Sequence, residues 1–257
     1  MLTETDEKVL AAINMHAVFG TLPRLVELVP AAKSLVGELS GPVTLDLSIV
    51  GGTHSRLIFT PEGIRQGGDA LGTRARLYFR SPSHLNAVVA GTSQPLPVAG
   101  PRGLRFLTGV FTPLTALLSK YLEPNTEDLA AADFFEASSL LTLNVAANAI
   151  TIVANDDRSG RFSAAQMSDG ELDIEVGNSL RYRISVEAHR LTLVTPAESP
   201  ARAVFGFADL ATAGDVIAGR ESALACVCDG RIAMRGYIPL VDNTNRILDR
   251  VGQYLGK

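Results

Sequence analysis

The chain has 257 residues, enough for one large domain or two of ordinary size. Hydrophobic residues make up 46% and charged residues 19%, a balance that buries a core and excludes disorder. The net charge is −4 and no long basic run occurs, which argues against a nucleic-acid partner.

In chain order, a long helical stretch is predicted from Asp6 to about Val36, interrupted near Gly20 and Pro23. Strands follow near Val43–Val50, Arg56–Thr60, Gly63–Gln66 and Arg74–Arg80. The alternation in VTLDLSI puts Val43, Leu45, Leu47 and Ile49 on one face. A helix is predicted over His84–Ala90, with Ser83 read as its cap. A strand at Leu104–Thr108 then leads into a helix near Pro113–Leu122, where the proline suits the first turn. Glu123–Asp128 reads as a junction, because Pro124 and Asn125 break structure and Thr126 can cap the next helix.

A second helical stretch is expected from Glu127 to about Asn155, ending in a solvated turn that contains Asp156 and Asp157. Strands follow near Leu172–Val176, Leu180–Val186, Arg190–Thr195 and Ala201–Phe207. Asp209 is a good cap for a helix over Asp209–Ala218. A strand at Arg231–Tyr237 then leads into a terminal helix from Leu240 to Leu255. That helix carries one apolar stripe of Leu240, Val241, Thr244 (through its methyl), Ile247, Leu248, Val251, Tyr254 and Leu255. Asp242, Asn245, Asp249 and Arg250 are assigned to the opposite face.

The two halves repeat. TRARLYFRSPSHLNAVVAG (Thr73–Gly91) lies against PARAVFGFADLATAGDVIAG (Pro200–Gly219), and LDLSIVGG (Leu45–Gly52) against LDIEVGNS (Leu172–Ser179). GLRFLTGVFTPL (Gly103–Leu114) is matched with GRIAMRGYIPL (Gly230–Leu240). The same order recurs at nearly one offset, so the expected division is 1–122 and 126–257. Strand runs followed by helices give an α+β class with a mostly antiparallel sheet.

The strand ending in Phe207, the helix GDVIAG with its trailing Gly219, and the segment CDGRIAMRGYIPL together resemble a sterol carrier protein 2-like domain. The first half resembles the same pattern less closely. It lacks a basic residue directly after Gly103 and carries extra prolines at Pro95, Pro97 and Pro101. The resemblance covers most of Val43–Leu122 and of Leu172–Leu255 and includes no catalytic signature. It implies a five-stranded, mostly antiparallel sheet in each of two tandem units, with helices over one face. It also implies an apolar tunnel for sterols, fatty acyl chains or isoprenoid lipids. From the residues alone, a filled core is the commoner reading of the space beneath each terminal helix; the resemblance is what favours a cavity.

Candidate lining residues are Phe207, Val216, Ile217, Met234, Ile238, Leu240 and Leu248 in the second unit. In the first they are Phe79, Leu85, Val88, Phe106, Phe111, Leu114 and Leu118. Strand alternation places Ile232 and Met234 on one face of GRIAMRGYIP and Arg231, Ala233 and Arg235 on the other, so Met234 and Ile238 are expected to face the space under the terminal helix. Gly230 and Gly236 read as turn punctuation around this strand.

His16, His54, His84 and His189 show no metal spacing, and no nucleophile elbow or phosphate loop occurs, so no metal, cofactor or catalytic residue is assigned. Cys226 and Cys228, two apart on an expected strand, read as small core residues, and the lack of a disulfide framework fits a reducing cytoplasm. The polar start MLTETDEK does not resemble a signal peptide, and Leu140–Ala154, with Asn144 and Asn148, is too short to span a bilayer. The expected function is binding or carrying a hydrophobic ligand, as an accessory factor to lipid biosynthesis. A cofactor-independent isomerase or cyclase, using Asp209, Asp215, Tyr237 or His84, and an assembly protein without a cavity are the alternatives. A transient contact with a membrane or partner protein fits either lipid reading, and the oligomeric state is left open.

Overall fold

A computed structural model of the chain describes residues 4–178, 180–217 and 219–256. The expected segment ends at Ser179 and Ala218 lie outside the described residues. The protein is α+β, with two five-stranded mixed sheets. Its contacts divide it into two compact units, Leu10–Ala137 and Met1–Val9 with Ser138–Lys257. This partition by contacts is not the partition by repeat, 1–122 and 126–257. The N-terminal residues belong spatially with the second sheet, and residues 123–137 with the first.

The chain enters on α1 (Glu7–Ala12), which runs through a π-helical segment at Ile13–Val18 and a 3-10 turn at Phe19–Thr21. Two short helices follow, α2 (Leu22–Leu28) and α3 (Pro30–Gly37), each with a proline in its first turn. The strands of the first unit are β1 (Val43–Ile49), β2 (His54–Thr60), β3 (Gly63–Gln66) and β4 (Thr73–Phe79). Helix α4 (Pro82–Val89) precedes β5 (Leu96–Ala99), α5 (Pro101–Phe106), a π-helical turn at Leu107–Phe111 and α6 (Thr112–Leu122). The sheet order is β3-β2-β1-β4-β5, with β1 and β4 parallel and the other pairs antiparallel. Val43, Leu45, Leu47 and Ile49 are all buried, as their alternation requires.

Three expectations for this unit are corrected. Leu104–Thr108 is helical, not a strand. Gly103, Phe106, Leu107, Val110, Phe111, Leu114 and Leu118 are the buried positions, a helical spacing that lays one stripe on the core. The fifth strand is instead the proline-bearing Leu96–Ala99. Prolines are tolerated there because β5 is an edge strand, pairing only with β4 among the described strands. The counterpart of GRIAMRG is therefore PLPVAG, not GLRFLTG. The cap of α4 is Ser81, whose side chain accepts the His84 N–H at 3.1 Å, rather than Ser83.

Helix α7 (Ala132–Asp156) is followed by α8 (Arg158–Ala164). The strands of the second unit are β6 (Gly170–Val176), β7 (Leu180–Glu187), β8 (Arg190–Val194) and β9 (Ala203–Phe207). Then come α9 (Leu210–Ile217), α10 (Ala223–Cys228), β10 (Ile232–Gly236) and α11 (Ile238–Tyr254). The order β10-β9-β6-β7-β8, with β6 and β9 parallel, repeats the topology of the first sheet strand for strand. The repeat extends to a side-chain pair: Asp46 faces Arg56 across β1 and β2, and Asp173 faces Arg183 across β6 and β7.

Several expectations for the second unit are corrected too. Cys226 and Cys228 lie on helix α10, where Cys226 is buried and Cys228 exposed, since helical spacing separates residues two apart. Arg250 is buried rather than on the polar face of α11, and Asp157 is buried rather than in a solvated turn. The apolar run 140–154 is part of a 25-residue helix. By length and composition, Ala132–Asp156 and the helical stretch Glu7–Leu28 both suffice to cross a membrane, although 67% and 61% of their apolar windows are buried within the protein.

Candidate functional site

The apolar face of the second sheet is built by alternation. On β6, Leu172, Ile174 and Val176 are buried, while Asp173 and Glu175 point to the opposite face. On β9 the buried positions are Ala203, Phe205 and Phe207, with the two phenylalanine rings 5.3 Å apart. The register pairs Ile232 with Phe207 and Met234 with Phe205, so both β10 side chains share the phenylalanine face. Arg235 agrees with this phase, since its guanidinium meets Glu175 on the far face at 2.8 Å. Arg231 is held outside by Asp229 and Glu221.

Ile232 is buried, but Met234 is 46% exposed and Ile238, in the first turn of α11, is 74% exposed. Both therefore stand at the rim of the apolar face rather than beneath the helix. The chain passes from β10 to α11 through Gly236 at φ +87°, where an added Cβ would lie 2.3 Å from the Arg202 carbonyl oxygen. This close approach lets the Tyr237 N–H complete the β9–β10 ladder at Arg202 O, 3.0 Å. Arg202 also stacks on the Tyr237 ring at 4.2 Å.

Helix α11 then crosses β9 and β10. Leu240, Val241, Thr244, Ile247 and Val251 are buried along its stripe, and Leu248 is half-buried at its margin. Val216 and Ile217 of α9 are half-buried, and Phe207 and Leu240 are buried. Within this layer the Thr244 hydroxyl is buried without a hydrogen-bond partner among the described residues.

The first unit fills the corresponding space differently. Phe59 of β2 meets Phe106 at 4.8 Å and Phe111 at 6.3 Å, and Phe19 meets Phe111 at 6.1 Å. Phe106 and Phe111 thus join one aromatic cluster, and Leu114 and Leu118 beyond it are buried. Phe79 packs elsewhere, against the His84 ring at 6.2 Å. Leu85 is buried and Val88 half-buried.

The residues considered for catalysis are engaged in holding the fold. Nδ1 of His84 accepts the Arg80 N–H at 2.9 Å, and its Nε2 lies 2.9 Å from Gln94 O. Asp209 caps α9, and the Thr212 N–H at 2.7 Å holds its carboxyl below the usual carboxylate range. Asp215 pairs with Arg220, and the Tyr237 hydroxyl lies 3.3 Å from Ser168 Oγ. Burial pushes the Cys226 thiol up.

A polar cluster that local sequence did not reveal joins Asp157, Arg250 and Tyr254. The Arg250 guanidinium donates to both Asp157 oxygens and to Glu4 O, and the Tyr254 hydroxyl donates to Asp157 Oδ2 at 2.7 Å while accepting the Asp6 N–H at 3.0 Å. Asp157 also caps α8 through the N–H groups of Ser159 and Gly160. Burial alone would raise its pKa, but the hydrogen bonds from Arg250, Tyr254 and Gly160 prevail and lower it. Burial, with the bond to Asp157, pushes Tyr254 up to about 12. A cleft of about 530 Å³ opens beside this cluster, lined by Glu4, Thr5, Asp6, Asp157, Arg158, Ser159 and Arg250. With its donors and acceptors so used, the cluster works as a clamp on residues 4–6, α8 and α11.

No family model and no curated protein matches the sequence. Among solved structures, the chain is similar to the UbiJ-SCP2 ubiquinone synthesis protein, with 14% identity and a TM-score of 0.33 over 42% of this chain and 95% of that one. It is also similar to a conserved hypothetical protein from Thermus thermophilus, described as a candidate sterol carrier. There the identity is 18% and the TM-score 0.32 over 43% of this chain and 85% of that one. Each match covers less than half of this chain.

Proposed function

We propose that the second unit binds a hydrophobic ligand between the apolar face of its sheet and α11, and that the protein acts as a lipid-binding accessory factor. The ligand is a fatty acyl, sterol-like or isoprenoid lipid. The observation that carries this reading is the open rim. Met234 and Ile238 are solvent-exposed although Met234 shares the face of the buried Phe205 and Phe207. An apolar rim continuous with an apolar layer offers a route for a lipid to leave water, at about 25 cal/mol per Å² of apolar surface removed. Methionine suits a rim that must re-pack around a guest, being unbranched and polarizable. The aromatic cluster of the first unit makes that unit the scaffold in this reading.

Native mass spectrometry of the purified full chain, followed by organic extraction, tests it. Co-purified lipid is expected from the wild type and markedly less from Met234→Glu and Ile238→Glu. Both residues are exposed, so neither change should lower stability by more than about 0.5 kcal/mol. No bound lipid, together with no binding of an added fluorescent fatty acyl probe, would sink the proposal.

A further inference from the structure

A helical threonine ordinarily returns its hydroxyl to the carbonyl four residues back, as Thr21 does to Ala17 O at 2.8 Å. Thr244 does not: its Oγ1 is fully buried and has no hydrogen-bond partner among the described residues. Its neighbours three and four residues away on α11 are Leu240, Val241, Ile247 and Leu248, all apolar, and the adjacent buried Asn243 donates its side-chain amide to Pro239 O at 2.8 Å. A buried hydroxyl left unpaired is costly, and packing alone would favour valine at this position, which has nearly the same shape.

We infer that Thr244 is the internal anchor of the ligand: the lipid enters head first and hydrogen-bonds the Thr244 hydroxyl with a neutral oxygen, a hydroxyl or a carbonyl. This inference rests on the lipid-binding reading above. Ile238 at the rim and Thr244 are six residues apart on α11, about 9 Å along the helix axis at 1.5 Å per residue. The tail then lies toward Met234 and Ile238. A threonine supplies one donor and two acceptor lone pairs, so it satisfies either an alcohol or a carbonyl. It supplies no charge, and a carboxylate placed among these side chains would lose its hydration without compensation. The ligand class is thereby narrowed to lipids with an uncharged oxygen at one end.

The test is displacement of a bound apolar dye from the full-length protein by 1-dodecanol, 1-chlorododecane and laurate at neutral pH. Wild type is expected to bind the alcohol more tightly than the chloride or laurate, by about tenfold. Thr244→Val should bind the alcohol about tenfold more weakly and leave the chloride unchanged, and Thr244→Ser should restore the preference. Equal binding of the alcohol by wild type and the valine variant overturns the anchor, and so does laurate binding as tight as the alcohol. Failure of wild type to bind any of the three overturns the lipid-binding reading itself, which separates the two outcomes.

Discussion

Arg183 lies directly across from Asp173, with Nε 2.7 Å from Asp173 Oδ1 and Nη2 2.8 Å from Oδ2, and its side chain is fully withdrawn from solvent. A further bond runs from Arg183 to Ser199 O at 2.7 Å, so the arginine ties the β8–β9 connection to the sheet. The repeated pair, Arg56 with Asp46, makes the same link to Gly68 O at 3.2 Å but leaves Arg56 36% exposed. Removing one partner of the enclosed pair strands a charge. Asp173→Asn and Arg183→Met should therefore each lower unfolding free energy by about 3 kcal/mol, and Asp46→Asn by about 1 kcal/mol or less. Urea denaturation of the three variants measures the difference. Equal losses at Asp46 and Asp173 would show that enclosure of the arginine is energetically irrelevant.

Tyr254 gives the second unit an alkaline limit. Its folded value of about 12 stands above the ordinary tyrosine value of 10.0. A raised value means that the stabilisation is complete below pH 10 and is lost as pH climbs through about 12. Asp157 acts at the other end. Its lowered value gives stabilisation that is present above the ordinary carboxylate range and lost as pH falls through the folded value. Tyr254→Phe should cost about 1–3 kcal/mol at pH 7 and unfold with a flatter alkaline limb than wild type. Denaturation midpoints measured across that range decide it, and parallel limbs would count against the assignment.

Gly236 admits no side chain. Alanine there would combine φ +87° with a Cβ 2.3 Å from Arg202 O. Gly236→Ala is expected to lose about 2 kcal/mol or more, with the loss concentrated in β10 and the start of α11. Hydrogen exchange should show the Tyr237 amide losing protection first, and unchanged protection there would refute the local origin.

The aromatic cluster of the first unit is expected to be structural. Phe106→Ala should destabilise by about 3–5 kcal/mol in thermal or chemical unfolding, and below the transition it should leave the lipid binding proposed for the second unit unchanged. A selective loss of ligand with no loss of stability would move the binding site to the first unit.

All five strands of the second sheet and four of the first are legible in the sequence, most clearly where a buried face imposes alternation, as in VTLDLSI and in Ala203-Val204-Phe205-Gly206-Phe207. The fifth strand of the first unit is obscured by Pro95 and Pro97, which suggest a loop until β5 is seen as an edge. GLRFLTG reads as a strand because Leu104, Phe106 and Thr108 alternate over a short span, while the helical stripe from Gly103 to Leu118 emerges only in a longer window. For the candidate site, the apolar positions of β9 and α11 follow from periodicity. The rim follows only from the surface that α11 leaves uncovered. Asp157 is invisible to local reading because Arg250 and Tyr254 lie 93 and 97 residues further along. Thr244 counts on the stripe by its methyl, and sequence carries no sign that its hydroxyl lacks a partner.

The bond from the Asp6 N–H to the Tyr254 hydroxyl joins residues 248 positions apart. On a ribosome making about 5–20 residues per second, about 12–50 s separate the synthesis of Asp6 from that of its partner Tyr254. A fragment beginning at Ser138 would face Arg250 and Tyr254 without the Glu4 carbonyl and Asp6 amide that complete their hydrogen bonds. Supplying a peptide of residues 1–12 in trans to such a fragment should raise its unfolding temperature, and no shift at saturating peptide would show that the clamp closes without the strap.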